Sequence, residues 1–231
     1  MKTQLKFIAL AAALLATGHV CAQSAGTWMA RIGAATITPE NPSGNLSAPG
    51  FTLSSSGAAA GGSKTSTGAD TQLGGGITYM YTDNVSIDVP LALPFKHKLS
   101  GAGAIQGVGQ IGEVQALPFT VFLQYRFFEA NSTFRPYVGL GATYAYFFNE
   151  QGSGTLTAMT NPGGPPTKLK VDSQFVLTPE IGATFAIDSK WFIDVFYSKS
   201  ALTTTTTLST GQKVDAALNP ESYGIHLGYK F

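Results

Sequence analysis

Cysteine, histidine and charge are all scarce in this 231-residue sequence. The single cysteine, Cys21, lies near the N-terminus, so a chain beginning after it has neither a disulfide framework nor a thiolate metal site. Charged residues make up 12% of the chain, well below the usual quarter or so, and their formal balance is +1. No concentrated basic surface for nucleic acid follows from that balance. Neither HExxH nor GxSxG occurs, so metal hydrolysis and nucleophilic catalysis lack their usual groups. We therefore expect no enzyme, no cofactor, and no catalytic or metal-ligating residue. A reaction site built from scattered Ser, His and Asp would have to use His97 or His226, the two histidines beyond residue 22. After the first 22 residues, no apolar run approaches the eighteen or so that a membrane helix needs.

What is present begins with MKTQLKFIALAAALLATGHVCAQ. Lys2 and Lys6 precede an apolar run from Phe7 to Ala16, and small residues end at Ala22. This is the layout of a secretory signal with cleavage after Ala22, leaving residues 23–231 as one β-barrel domain. Bulky Val20 before Cys21 argues against a lipoprotein signal. Removing residues 1–22 takes away two lysines and no acid, leaving 12 basic against 13 acidic residues. An exported chain with few charges and no spanning helix has the composition of a membrane β-barrel, the other reading being a periplasmic or secreted β-sandwich.

Period-2 alternation marks eight strands, approximately 27–38, 70–82, 85–95, 114–128, 134–149, 169–187, 191–204 and 214–231. Several reach the nine to eleven or so residues of a tilted membrane strand. In PFTVFLQYRFF, Phe119, Val121, Leu123, Tyr125 and Phe127 form one row, opposed by Thr120, Phe122, Gln124 and Arg126. If the apolar rows meet lipid, the mixed rows line a small interior where Arg126, Glu180, Asp194 and Lys230 can pair.

The connections sharpen this. Links after strands two, four and six are short, such as Thr82-Asp83-Asn84 and Asp188-Ser189-Lys190, whereas the other links are long and rich in Gly, Ser, Thr, Ala or Pro. Short turns on one rim and long loops on the other, with an even strand count, are the pattern of an up-and-down, eight-stranded antiparallel transmembrane barrel in a Gram-negative outer membrane, with both termini periplasmic. GAGAIQGVGQIG reads as a flexible outer loop, and Thr203 to Thr207 as an extension of strand seven above the membrane. The closing ESYGIHLGYKF must be a full wall strand, because the last strand of a barrel pairs with the first. Tyr229 and Phe231 then join Trp28, Phe127, Phe134 and Trp191 in a periplasmic aromatic girdle. The terminal Phe231 also resembles the signal read by the barrel assembly machinery.

WMARIGAATITP, TQLGGGITYMYTDNVSIDV, LPFKHKLSG, LPFTVFLQYRF, FRPYVGLGATYAYFFNE and the closing LGYKF resemble the OmpW/AlkL-like family of small outer-membrane barrels. The resemblance implies a monomeric barrel with a hydrophobic passage, admitting small hydrophobic molecules from outside and releasing them sideways into the membrane. Pro90 and Pro94 offer a physical basis for such a lateral opening, since each removes a ladder donor from strand three. Lumen aromatics Phe122, Phe147, Phe192 and Phe196 either line an apolar route or fill the barrel as a plug. The expected partners are outer-membrane lipid and lipopolysaccharide, which Lys96 and Lys98 would meet, and the hydrophobic solutes. The alternative function is a structural or interaction barrel whose loops bind phage, bacteriocins or host surfaces without transport. A lumen sealed by charge pairs at every depth would favour that alternative, and apolar lining from the loops to the wall gap would favour transport.

Overall fold

The computed structural model describes residues 23–40 and 63–231; the expected signal, residues 1–22, and most of the first long loop lie outside them. Thirteen strands and one short helix occur among the described residues. The walls are built from β1 (Trp28–Thr38), β3 (Asp70–Met80), β4 (Val85–Ala92) continued by β5 (Phe95–Gly103), β6 (Gln110–Arg126), β7 (Phe134–Gly152), β9 (Gln174–Ala186), β10 (Trp191–Lys199) and β13 (Glu221–Lys230). β2 (Ser63–Thr67) extends the β5 edge, while β8 (Leu169–Val171), β11 (Thr203–Leu208) and β12 (Lys213–Ala217) form a separate three-stranded sheet.

β4 and β5 both pair with β6, so they occupy one wall position. β7 pairs with β6 as well as β9, which closes an eight-membered antiparallel cylinder. The seam between first and last strands runs in register from Met29↔Lys230 to Thr38↔Glu221, and the Phe231 amide donates to the Trp28 carbonyl at 2.9 Å. Residues 221–231 are thus held along the whole of this seam.

Alternation sends the apolar rows outward. Ile32, Leu123, Ile181 and Ile225 are each more than half exposed, while Thr78, Gln124, Glu180 and Asp194 are buried inside. That inversion of a soluble protein suits a cylinder whose outer surface meets lipid. No helix among the described residues is long and apolar enough to cross a membrane.

At the turn end, Trp191 and Tyr229 meet edge-on at 5.0 Å, Tyr229 and Phe231 at 5.1 Å, and Lys190 lies over the Tyr229 ring. The turn that presents Trp191 is held by Asp188, whose Oδ1 accepts from the amides of Lys190 and Trp191, each at 2.7 Å. Those bonds favour the ionised form and hold the Asp188 carboxyl below its usual range. Their stabilising effect is therefore complete above the ordinary carboxylate pKa and is lost as pH falls through the lowered value. Amide NMR of Lys190 and Trp191 should follow one titration whose midpoint lies below that of an unbonded aspartate.

The loop end departs from expectation. Strands six, seven and eight do not run unbroken: each divides, and the pieces β8, β11 and β12 fold into the separate sheet. The threonine run is β11 of that sheet and does not continue β10. GAGAIQGVGQIG is also no open loop. β5 ends at Gly103 and β6 begins at Gln110, with Gly103, Gly107 and Gly109 at positive φ making the reversal tight. In GSGTLTAMT a short helix, α1 (Gly154–Thr160), starts where Ser153 Oγ accepts from the Leu156 amide. Leu156 packs with Ile111, Phe147, Leu169, Val171 and Leu208, an apolar cluster that carries the core above the barrel wall.

Candidate functional site: a wall gap and its apolar chamber

β4 pairs with β6 from Val85↔Tyr125 to Asp88↔Phe122, and β5 resumes the pairing at Phe95↔Ala116. Between these points residues 89–94 have no ladder partner on β6 among the described residues. They stay attached to β3 through Pro90↔Gly76, Leu91↔Gly75 and Ala92↔Gly74, and the Leu93 amide donates to the Leu73 carbonyl. Across the gap, residues 117–121 remain paired with β7. Pro90 and Pro94 on one side and Pro118 on the other supply no N–H, so the sequence itself removes bonds that would zip the wall shut.

Behind the gap lies a cavity of about 110 Å³, bordered by Pro90, Leu91, Ala92 and Phe95 on one lip and Pro118, Thr120 and Phe122 on the other. A second cavity of about 90 Å³ sits above it, towards the loops, walled by Leu99, Val114, Phe147, Val171, Val214 and Leu218. The two share Ile37, Pro118, Ala145, Leu202 and Pro220, so they abut. Their combined lining is largely apolar. Four of the hydroxyls that intrude satisfy one another: Thr120, Thr143, Thr178 and Ser200 form a chain of bonds of 2.8–2.9 Å across neighbouring strands.

The turn-end half is the opposite in character. Arg31 grips Asp88 with two bonds, Nη1 to Oδ1 at 2.5 Å and Nη2 to Oδ2 at 2.7 Å, and Thr78 donates to the same carboxylate. Asp194 lies 3.5 Å from both Arg31 Nε and His226 Nδ1 and accepts from the Tyr137 hydroxyl at 3.1 Å. Gln124 donates to Glu180 and accepts from Arg126, whose guanidinium also reaches Ser86 and covers the Tyr137 ring. Deeper still, Arg135 donates to the carbonyls of Gln23 and Asp83, and the Gln23 side chain bonds Thr184. Charge and hydrogen bonds therefore seal the lower barrel, and the apolar chamber stands on that seal.

The family model described as the OmpW family matches residues 24–231. The chain belongs to the OmpW family. Among the relatives of this OmpW-family barrel, outer membrane protein W of Vibrio cholerae serotype O1 is 36% identical over 95% of both chains. Outer membrane protein W of Escherichia coli K12 is 31% identical over 99% of both. The crystal structure of the outer membrane protein OprG from Pseudomonas aeruginosa superposes with a TM-score of 0.77 at 27% identity, covering 93% of this chain and 99% of OprG. The protein is accordingly an outer-membrane barrel in a lipid and lipopolysaccharide environment, from a family of membrane barrels and not of enzymes.

Within this OmpW-family barrel, Pro90 borders the gap and the lower cavity, and Pro94 ends the unpaired stretch at its upper edge. Phe122 and Phe196 line the lower cavity and Phe147 the upper one. Phe192 lies apart from both, packed with Met29 and Met80. Trp28, Trp191, Tyr229 and Phe231 ring the turn end from outside. His97 is buried, its Nδ1 on the Gly68 carbonyl, while Lys96 and Lys98, the residues expected to meet lipopolysaccharide, point outward. The expected pairing of Arg126, Glu180, Asp194 and Lys230 is also rearranged. Arg126 and Glu180 both bond Gln124, and Arg31 forms ion pairs with Asp88 and Asp194. Arg31 and Asp88 were visible as lone charges within alternating strands, which is the signal that could have found them. Pro118, the other lip of the gap, was visible too, but only the break in pairing gives it meaning.

Proposed function

We propose that this barrel is a passive conduit for small hydrophobic molecules, entering from the extracellular loops, descending through the two apolar cavities and leaving sideways into the membrane between β4 and β6. The observation that carries this reading is the coincidence of the unpaired wall at residues 89–94 with an apolar cavity directly behind it. The charge seal below it supports the same route, because an apolar solute halted above buried ion pairs has the wall gap as its lower exit. No nucleotide is needed; the concentration gradient drives entry, and partition into lipid drives release. The alternative of a loop-binding barrel without transport calls for a seal at every depth, whereas the buried ion pairs among the described residues lie in the turn-end half.

The girdle and terminal Phe231 suit delivery by the barrel assembly machinery, and a closed eight-strand wall suits a monomer. Uptake of labelled hexane into liposomes holding refolded residues 23–231, against a sealed eight-stranded barrel, tests the function. Transport above that control is expected; parity with it in folded protein would refute the conduit. In the same assay Pro94→Ala should lower uptake while leaving insertion intact, because a restored N–H lets the upper edge of the gap pair with β6. Unchanged uptake would remove Pro94 from the exit.

A further inference from the structure

We propose that the groove between the loop end of β7 and the strand β8 binds the phosphorylated glucosamine head of a lipopolysaccharide molecule. The site goes beyond the conduit and is independent of it, since it is built on the outward face of the wall. An open hollow of about 960 Å³ lies there, far larger than either cavity of the chamber. One side of it is a ladder of side chains at every second position of β7. Tyr144, Tyr146 and Phe148 lie nearly parallel, with successive ring centres 6.3 and 5.4 Å apart and planes within 20° of each other. The other side carries Lys168, Lys170 and Asp172, the exposed row of KLKVD, whose alternate residues Leu169 and Val171 are buried in the apolar cluster above the wall.

This basic row is held in place. Ser209 Oγ accepts from the Lys168 amide at 3.0 Å and the Ser209 amide donates to the Lys168 carbonyl at 2.8 Å, while Lys170 pairs with Thr207 in the ladder. The Val171 amide ties β8 to the wall by donating to Glu150 Oε1 at 3.4 Å. No ion pair among the described residues engages Lys168, Lys170, Glu150 or Asp172, so two ammonium groups and two carboxylates border one hollow without neutralising each other.

Height and charge together select the occupant. Tyr144 stands ten residues beyond Phe134, the turn-end residue of β7; at about 3.3 Å per residue and a tilt of about 40°, that is about 25 Å, the height of the apolar band. The rings therefore form the loop-side girdle, and the lysines meet the headgroups of the outward-facing leaflet, which lipopolysaccharide fills. A phosphate accepts from the ammonium groups, sugar hydroxyls and the glucosamine amide N–H donate to the carboxylates, and the C–H face of a pyranose covers an aromatic face. A phosphate alone is repelled by Glu150 and Asp172, and a neutral sugar leaves the lysines unpaired. The acyl chains follow the exposed row down the wall through Phe175, Leu177 and Ile181.

The test is native mass spectrometry of refolded residues 23–231 released from detergent with equimolar bis-phosphorylated lipid A, its dephosphorylated form and phosphatidylethanolamine. We expect one lipid A to be retained in preference to the other two. Retention should fall on the order of tenfold in Lys168→Gln/Lys170→Gln and persist in Lys168→Arg/Lys170→Arg. Tyr146→Ala should weaken it too. Lys96→Gln/Lys98→Gln removes two other exposed lysines and should leave retention unchanged. Heat-modifiable gel mobility checks that each variant is folded. Equal retention of the three lipids, retention unchanged in Lys168→Gln/Lys170→Gln or in Tyr146→Ala, or an equal fall in Lys96→Gln/Lys98→Gln would overturn the proposal.

Discussion

Oxidised Leu91→Cys/Phe119→Cys protein should carry hydrophobic solute no faster than a sealed barrel, and reductant should restore its uptake. The register from Val85↔Tyr125 to Asp88↔Phe122, continued upward, sets Leu91 opposite Phe119, and both side chains point out of the barrel. Directly opposed antiparallel residues have Cα atoms roughly 4.5–5.5 Å apart, inside the range a disulfide spans, so the bond can form only when the lips of the gap come together. With no native cysteine beyond residue 22, the engineered bond has no competitor. Liposome uptake before and after reduction measures the effect in one sample, and rapid uptake by fully oxidised protein would show that the solute leaves elsewhere.

The second large effect concerns the seal. Asp88→Ala strands Arg31, whose side chain is 5% exposed and whose two-pronged bond to Asp88 would be lost. Removing one partner of a buried pair costs about 3–5 kcal/mol, since the remaining charge keeps its desolvation penalty without its compensation. Asp194 offsets part of this because it also faces Arg31. Urea unfolding in lipid vesicles should show the loss as a fall in midpoint at unchanged slope. Arg31→Met/Asp88→Leu should recover most of it, because an apolar pair of similar volume removes both charges at once. Wild-type stability in Asp88→Ala would mean that the pair contributes little to holding the barrel together.

Both predictions act on features with unequal visibility in the chain. The outward rows were readable because a strand alternates and lipid tolerates no polar row, so Phe119, Leu123 and Ile181 declare their face by type alone. Asp188 and its neighbours marked a turn for an equally local reason. The inward partners were not readable in this way. Arg126 and Glu180 share a lumen, but which groups touch depends on strand stagger around a closed cylinder, and Gln124 came between them. Phe192 and Phe196, four apart on one strand, share a face yet end in different places: Phe192 among methionines in the seal, Phe196 in the chamber.

The barrel, its orientation and its membrane setting thus follow from local rules: period-2 alternation, turn chemistry, alternating loop lengths and a scarcity of charge act over a few residues and need no knowledge of neighbours. Pro90, Pro94 and Pro118 are likewise local facts, each a missing donor. That the first two face the third across one unpaired stretch, with a cavity behind, is decided only when strands far apart in sequence are brought into register. Closure of the cylinder fixes which side chains share a depth, and depth separates a sealed lower half from an apolar chamber.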